Sequence, residues 1–411
     1  MSAPIAVYVH LPWCVRKCPY CDFNSHAAPG TIPESAYVEA LLADLERDLD
    51  LAAGRQVASI FLGGGTPSLF RPDSIAALIS GIRARLPVAP DAEVTMEANP
   101  GTVEHGRFTG YAAAGVNRVS LGAQSFDAAA LAALGRIHGP DEIPAAVSEI
   151  RAAGIENFNL DLMYALPGQT VAGAVADVQA AIALEPAHLS YYQLTLEPGT
   201  AFFHRPPPLP PDDLAWEMQV ECQRALAAAG YAQYEVSAYA RPGRQCRHNL
   251  NYWRFGDYLG IGAGAHGKVT VGGAVLRTEK PKSPREYLRE GGRGGGQRRA
   301  VSPGELPFEF MLNALRLTGG FEAGEFESCT GLSARSVEPA LAALERRGLI
   351  DRSGTLVRPT ELGFRFLNDV QSAFLPPTVS QAAAATAPLP APQEETGSSL
   401  RRSRPGGATG K

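Results

Sequence analysis

The chain has little net charge, few cysteines and no long apolar run, and each shortage removes a class of function. Its 411 residues carry 37 Lys and Arg against 42 Asp and Glu, a formal charge of −5. That bias does not point to a polyanion partner. No stretch approaches the roughly 20 apolar residues that span a bilayer. The opening residues, Met1 to His10, are short and lack a basic n-region, so no signal peptide is expected. Cysteine is scarce, with six in all, yet three of them (Cys14, Cys18 and Cys21) fall within eight residues.

Three thiolates on one short loop read first as a metal site. Thiolates are soft ligands that select zinc or iron–sulfur iron. A structural zinc and a conventional cubane each want four protein ligands, so three cysteines leave one metal position open. Two plainer readings compete. His26 could complete a Cys3His zinc site, and Cys18 with Cys21 could form a redox dithiol, although that leaves Cys14 unexplained. Unpaired cysteines and a cluster loop both call for a reducing compartment, so a cytoplasmic location is expected. The spacing Cys-x3-Cys-x2-Cys resembles the signature of the radical S-adenosylmethionine (SAM) superfamily, where the open iron of a [4Fe–4S] cluster chelates the methionine end of SAM.

Short β-branched or aromatic runs alternate with helical stretches through the first two-thirds of the chain. Strands are expected at Ile5–His10, Val57–Leu62, Glu93–Glu97, Arg118–Leu121, Phe158–Leu162 and Leu189–Leu194. Tyr37, Leu41, Leu42, Leu45 and Leu49 share one face of a helix between the first two, and Ile75, Leu78, Ile79 and Ile82 share a face of the next. Six β–α units predict an α/β fold with a parallel sheet, open or curled into a partial (β/α)6 barrel. The polar motifs fall at strand carboxyl ends, where such folds bind ligands. This first domain is expected over residues 1–288. A Gly- and Arg-rich linker should follow over 289–304. The helix–helix–hairpin pattern over 305–375, turning at Ser353-Gly354, predicts a small winged-helix-like C-terminal module. Residues 376–411, rich in Ala, Pro, Ser and Gly, read as a disordered tail.

Gly63-Gly64-Gly65-Thr66-Pro67 follows the second strand directly. Glycines there let backbone approach a ligand and free N–H groups to donate to a carboxylate. Glu97 ends the third strand, Gln124 the fourth, and Asp161 lies in an apolar run where a carboxylate needs a partner. Arg136 is the partner expected for it. Together with the cysteine loop these motifs resemble, residue by residue, the relatives of the oxygen-independent coproporphyrinogen III dehydrogenase. The resemblance runs from about Tyr8 to about Phe374. It implies that Cys14, Cys18 and Cys21 hold the cluster and that Tyr8, Gly64 and Glu97 contact the cluster-bound SAM. It assigns Tyr20, Gly65, Thr66, Gln124, Arg136, Asp161 and Thr195 to a second SAM pocket.

One departure bears on the branch. The dehydrogenase carries a further cysteine two residues after the third, and here that position is Phe23. Cys246-Arg247-His248-Asn249-Leu250-Asn251-Tyr252-Trp253 contains His-Asn-x-x-Tyr-Trp, which resembles the heme-binding motif of the bacterial radical-SAM heme chaperones. His248 is then a candidate proximal ligand, with Tyr252 and Trp253 able to pack on a porphyrin. The plainer reading is a core histidine among buried aromatics. Cys246, Cys222 and Cys329 read as ordinary or buried cysteines. The resemblance implies a heme chaperone that delivers heme to an acceptor protein of the respiratory membrane, touching the membrane only through that acceptor. The alternative is an enzyme, the dehydrogenase itself, acting through a 5′-deoxyadenosyl radical. The C-terminal module balances its arginines with Glu322, Glu325, Glu327, Glu338, Glu345 and Asp351, so no nucleic-acid partner is expected.

Overall fold

Six parallel strands, all expected from the sequence, lie side by side in chain order: β1 (Ile5–Leu11), β2 (Val57–Gly64), β3 (Val88–Ala98), β4 (Arg118–Gln124), β5 (Phe158–Tyr164) and β6 (His188–Gln193). The computed structural model describes residues 3–28, 30–101, 106–294 and 296–376. The strands are buried on both faces, which their near-continuous apolar runs require. Helix α1 (Glu34–Arg47) buries Tyr37, Leu41 and Leu45, and α2 (Pro72–Arg85) buries Ile75, Leu78, Ile79 and Ile82 against the sheet. Pro72 at the first turn of α2 costs no hydrogen bond there. These parallel units form the expected partial barrel, one α/β fold.

The sheet extends beyond the six strands on both sides. Tyr258–Ile261 pairs parallel with β1, and His266–Val271, Ala274–Glu279 and Gln297–Ala300 add antiparallel strands outside it. At the other side Ala238–Ala240 pairs antiparallel with β6, and Ala232–Glu235 forms the edge. The expected linker over 289–304 is therefore in part a strand. Arg298 explains why so unpromising a sequence pairs: its guanidinium reaches Asp48 at 2.9 Å and Asp50 at 2.8 Å. A second tie is fully buried, where Lys280 pairs with Asp44 at 2.5 Å and Asp48 at 2.6 Å. Burial pushes the Asp44 carboxyl above its ordinary pKa, and the Lys280 ammonium opposes that shift.

Toward the C-terminus, helices Leu306–Ala314, Ala323–Thr330 and Glu338–Arg346 surround a small sheet ordered Phe321–Glu322, Leu356–Pro359, Ile350–Ser353. The expected hairpin forms, but it turns one residue later than expected, at Gly354-Thr355, because Ser353 still pairs with Leu356. Phe310 centres this core and meets Phe321 and Phe326 edge on. Phe255, Val275 and Val301 belong to the same cluster, so the module packs on the barrel domain instead of hanging from a linker. Residues 3–375 fall in one compact unit. The expected tail lies, from 377 on, outside the described residues. Among the described residues no helix is long and apolar enough to cross a membrane.

Candidate cluster and SAM site

The carboxyl ends of the strands open into a cavity of ≈ 370 Å³ bounded by the cysteine loop. Cys14, Cys18 and Cys21 line it together with Tyr20, Gly64, Gly65, Thr66, Glu97, Gln124, Arg136, Asp161 and Thr195. All three thiols are free and half-buried. The loop is fixed by backbone: the Gly65 amide donates to Leu11 O at 2.9 Å and the Thr66 amide to Trp13 O at 2.8 Å. A side chain at Gly65 would meet those same two carbonyls, so only glycine lets the strands approach so closely. Gly64 has φ +110°, and a Cβ there would run into the His10 ring.

Polar groups point from several strand ends toward the thiols. Thr66 Oγ1 donates to Cys14 Sγ at 3.5 Å, Arg136 donates to Cys18 Sγ at 3.7 Å, and Ser25 lies 3.7 Å from Cys21 Sγ. Burial raises the Cys14 and Cys21 thiols above their usual pKa, and the Thr66 and Ser25 hydroxyls oppose it. Among the described residues no three His, Cys, Asp or Glu side chains converge on a single ion. A closed zinc site with His26 is thus not formed, and His26 Nε2 instead lies 3.2 Å from Asn24 Oδ1. A cubane differs from a single ion: each of the three thiolates would hold its own iron, and one iron would be left without a protein ligand.

The remaining walls suit a zwitterionic ligand. Arg136 is half-buried, its Nε is buried with no partner, and its terminal nitrogen donates to Gly122 O at 2.9 Å and to Asn99. The Gly64 amide donates to Glu97 Oε2 at 3.0 Å. Burial, reinforced by the nearby Asp161, lifts the Glu97 carboxyl to about 8. A ligand bearing an ammonium or hydroxyls would meet these two carboxyls, and one bearing a carboxylate would meet Arg136. Free SAM offers all three groups. These residues therefore fit both a [4Fe–4S] cluster and SAM, and when bound the cluster would supply the iron that chelates the methionine end.

Two sequence expectations change. Asp161 is not paired with Arg136: it accepts from Ser120 at 3.1 Å and Asn159 at 2.8 Å, and the cation that bears on it is the buried Arg118. Burial still raises its pKa. The two expected SAM sets also do not occupy separate hollows. Gly64 and Glu97 share the first cavity with Tyr20, Gly65, Thr66, Gln124, Arg136, Asp161 and Thr195, while Tyr8 lines an adjoining cleft that also touches Gly64 and Glu97. Gln124 is aimed inward by a bulge in β4 and by a left-handed backbone, φ +68°, and Tyr192 donates to its side-chain oxygen at 2.8 Å. Thr195 donates to Glu197 at 2.8 Å. Sequence reasoning missed Asn99, which bridges Thr66 and Arg136, although its place two residues past Glu97 was a usable signal.

His248 lies in neither cavity. It is 1% exposed, with Nδ1 2.9 Å from Ser59 Oγ and Nε2 2.8 Å from Tyr252 Oη. Phe61 packs against the ring at 5.1 Å, and burial pulls the imidazole down to about 3, so it stays neutral. Both nitrogens are committed, and the expected iron ligation by His248 is not set up in this geometry. The helix that carries it, Arg247–Trp253, is held by Glu93, which accepts from the Arg247 and His248 amides at 3.1 Å each. Tyr252 alone of the motif aromatics reaches a cavity, the adjoining cleft beside Tyr8.

The Radical SAM superfamily profile matches residues 8–180, and the HemN C-terminal domain matches residues 301–366. Heme chaperone HemW of Escherichia coli strain K12 is 51% identical over 373 residues, 90% of this chain and 98% of that protein. The protein of the same name from Haemophilus influenzae is 48% identical over 377 residues, again 90% and 98%. Among solved structures, coproporphyrinogen III oxidase (HemN) from Escherichia coli matches with a TM-score of 0.76 at 23% identity, covering 90% of each chain, a likeness of fold. With this identity sustained along nearly the whole of both proteins, the chain belongs to the HemW family within the radical SAM superfamily.

Proposed function

We propose that this protein is a heme chaperone, which holds a [4Fe–4S] cluster on Cys14, Cys18 and Cys21, binds SAM against Gly64, Glu97 and Arg136, and passes heme to an acceptor protein. The observation that carries the reading is the likeness, over 90% of the chain, to proteins named heme chaperone. Phe23 supports it from the site itself. Where the dehydrogenase pattern has a fourth loop cysteine, this side chain is apolar, 59% exposed and on the wall of both cavities. The acceptor is a heme protein of the respiratory chain, and membrane contact is made through it. The location is cytoplasmic, which suits six free cysteines.

In this role the protein's own groups bind and shield; they need not break a bond in the heme. The test is heme delivery. Anaerobically prepared, heme-loaded protein is mixed with heme-depleted respiratory membranes, and reconstituted cytochrome absorbance is followed. Delivery faster than from the same amount of free heme is expected. Equal rates would remove the chaperone reading.

A further inference from the structure

We propose that the heme acceptor docks in the groove between helix Asp212–Ala228 and the C-terminal module, and that the segment seated there is a basic cytoplasmic loop beside one of its membrane-spanning helices. This rests on the chaperone reading above and adds where the partner binds and what recognises it.

The groove measures ≈ 980 Å³, more than either cavity at the cysteine loop and enough for a short length of polypeptide. The helix supplies one wall and residues 359–366 of the module the other. Both walls are fixed by polar ties. Thr360 Oγ1 donates to Gly348 O at 2.7 Å and accepts from the Gly363 amide at 3.0 Å, capping the short helix Glu361–Arg365. Thr318, also on the lining, holds the module to the edge of the barrel sheet: its amide donates to Tyr234 O at 3.1 Å and its hydroxyl to Gln233 O at 3.2 Å. Between these walls Trp216 is 38% exposed and Phe366 44%, and Phe364 is half-buried. Aromatic side chains left facing water in a concave site are the anchors that protein interfaces use.

The charges on the lining select the partner. Asp212, Asp213 and Glu361 stand exposed on it, and among the described residues no salt bridge engages them. The two lining cations are taken: Arg224 pairs with Glu221, and Arg365 lies over the Trp216 ring at 4.3 Å. Aromatic rings edged by free carboxylates suit a segment that brings Lys or Arg together with apolar residues. Cytoplasmic loops of membrane proteins have that composition next to their spanning helices. The same carboxylates repel anionic lipid headgroups, which favours the protein over the bilayer as the partner. The position suits delivery. Gln193, at the end of β6, lines both the groove and the cluster cavity. Two residues before Thr318, Arg316 lies over the Trp253 ring at 4.2 Å, so the groove also adjoins the helix Arg247–Trp253 that carries the heme-type motif. The C-terminal module, whose charge balance fits no nucleic acid, then serves as one wall of a docking site.

The test uses the full chain, cluster-reconstituted and heme-loaded, with inside-out vesicles of heme-depleted respiratory membrane as the probe. Binding is read by co-sedimentation and delivery by cytochrome absorbance. Asp212→Asn, Asp213→Asn and Glu361→Gln combined should weaken binding about tenfold at low ionic strength and slow delivery in step, the gap closing at high salt. Trp216→Ala should weaken binding at every salt concentration. Both variants should keep the wild-type cluster iron and heme content. Mild trypsin treatment of the vesicles, which cuts exposed loops at Lys and Arg, should abolish wild-type binding. Unchanged binding by the triple variant overturns the proposal while leaving the chaperone reading intact, and so does binding that survives trypsin. Equal binding to protein-free phosphatidylcholine–phosphatidylglycerol vesicles would assign the groove to lipid, and a dimer that the substitutions split would assign it to a second copy; either overturns the proposal. Wild-type protein that delivers heme no faster than free heme removes the chaperone reading, and the proposal with it.

Discussion

His248 and Tyr252 face each other one helical turn apart, with Nε2 2.8 Å from the phenol oxygen, and this pair links the buried interior to the adjoining cleft. The histidine is structural on this geometry. His248→Ala should leave Ser59 and Tyr252 short of a partner and open a void in the core, costing about 1–3 kcal/mol. A lowered urea midpoint with unchanged cluster content is the expected outcome. A variant as stable as wild type would show the buried imidazole to be dispensable for folding.

Cys14→Ser, Cys18→Ser and Cys21→Ser should each lose the cluster, because each thiolate holds one iron corner and no fourth cysteine stands by on the loop. Iron and sulfide analysis, with the brown charge-transfer absorbance, reads the result directly. Full iron occupancy in any of the three would rule out that residue as a ligand.

Gly64→Ala should weaken SAM binding. The new Cβ enters the His10 ring, at a backbone φ of +110° that L-residues avoid at a cost of about 1–3 kcal/mol. The amide that holds Glu97 then shifts. Iron content should stay at the wild-type level, since the cysteine loop is ligated elsewhere. SAM affinity measured by calorimetry at full iron loading would contradict the loop's role if it were unchanged.

Glu97 makes stability depend on pH. Its native pKa of about 8 lies above the ordinary 4.5, so between these values the folded protein binds more protons than the unfolded chain. Stability contributed by the protonated carboxyl is present below the ordinary value and is lost as pH rises through about 8. Glu97→Gln should remove that slope. Thermal denaturation of the ligand-free protein across this range should therefore fall more steeply with pH for wild type than for the variant. Parallel curves would contradict the assignment.

Much of this architecture is legible in the sequence because its signals are local. Every strand of the parallel core is a short run of β-branched or aromatic residues bounded by helical patterns, and Ile75, Leu78, Ile79 and Ile82 fall on one face by spacing alone. The sheet extension is not legible in this way. Gln297–Ala300 has no strand-like composition and pairs because Arg298 finds Asp48 and Asp50 on a helix some 250 residues earlier. Tyr258–Ile261 is short and flanked by glycines, and only its seat beside β1 makes it a strand. In the site, residues at strand ends converge as expected, since a parallel sheet brings all its carboxyl ends to one edge. Partners do not follow from sequence: Asp161 and Arg136 line the same cavity yet bond to different groups.

The most direct test of the account is an anaerobic titration of the cluster-loaded full chain with heme and, separately, with coproporphyrinogen III in the presence of SAM and a low-potential reductant. Stable heme uptake, with coproporphyrinogen III recovered intact, is the predicted result. Release of carbon dioxide and formation of protoporphyrinogen, without retained heme, would contradict it and identify the protein as a decarboxylating dehydrogenase.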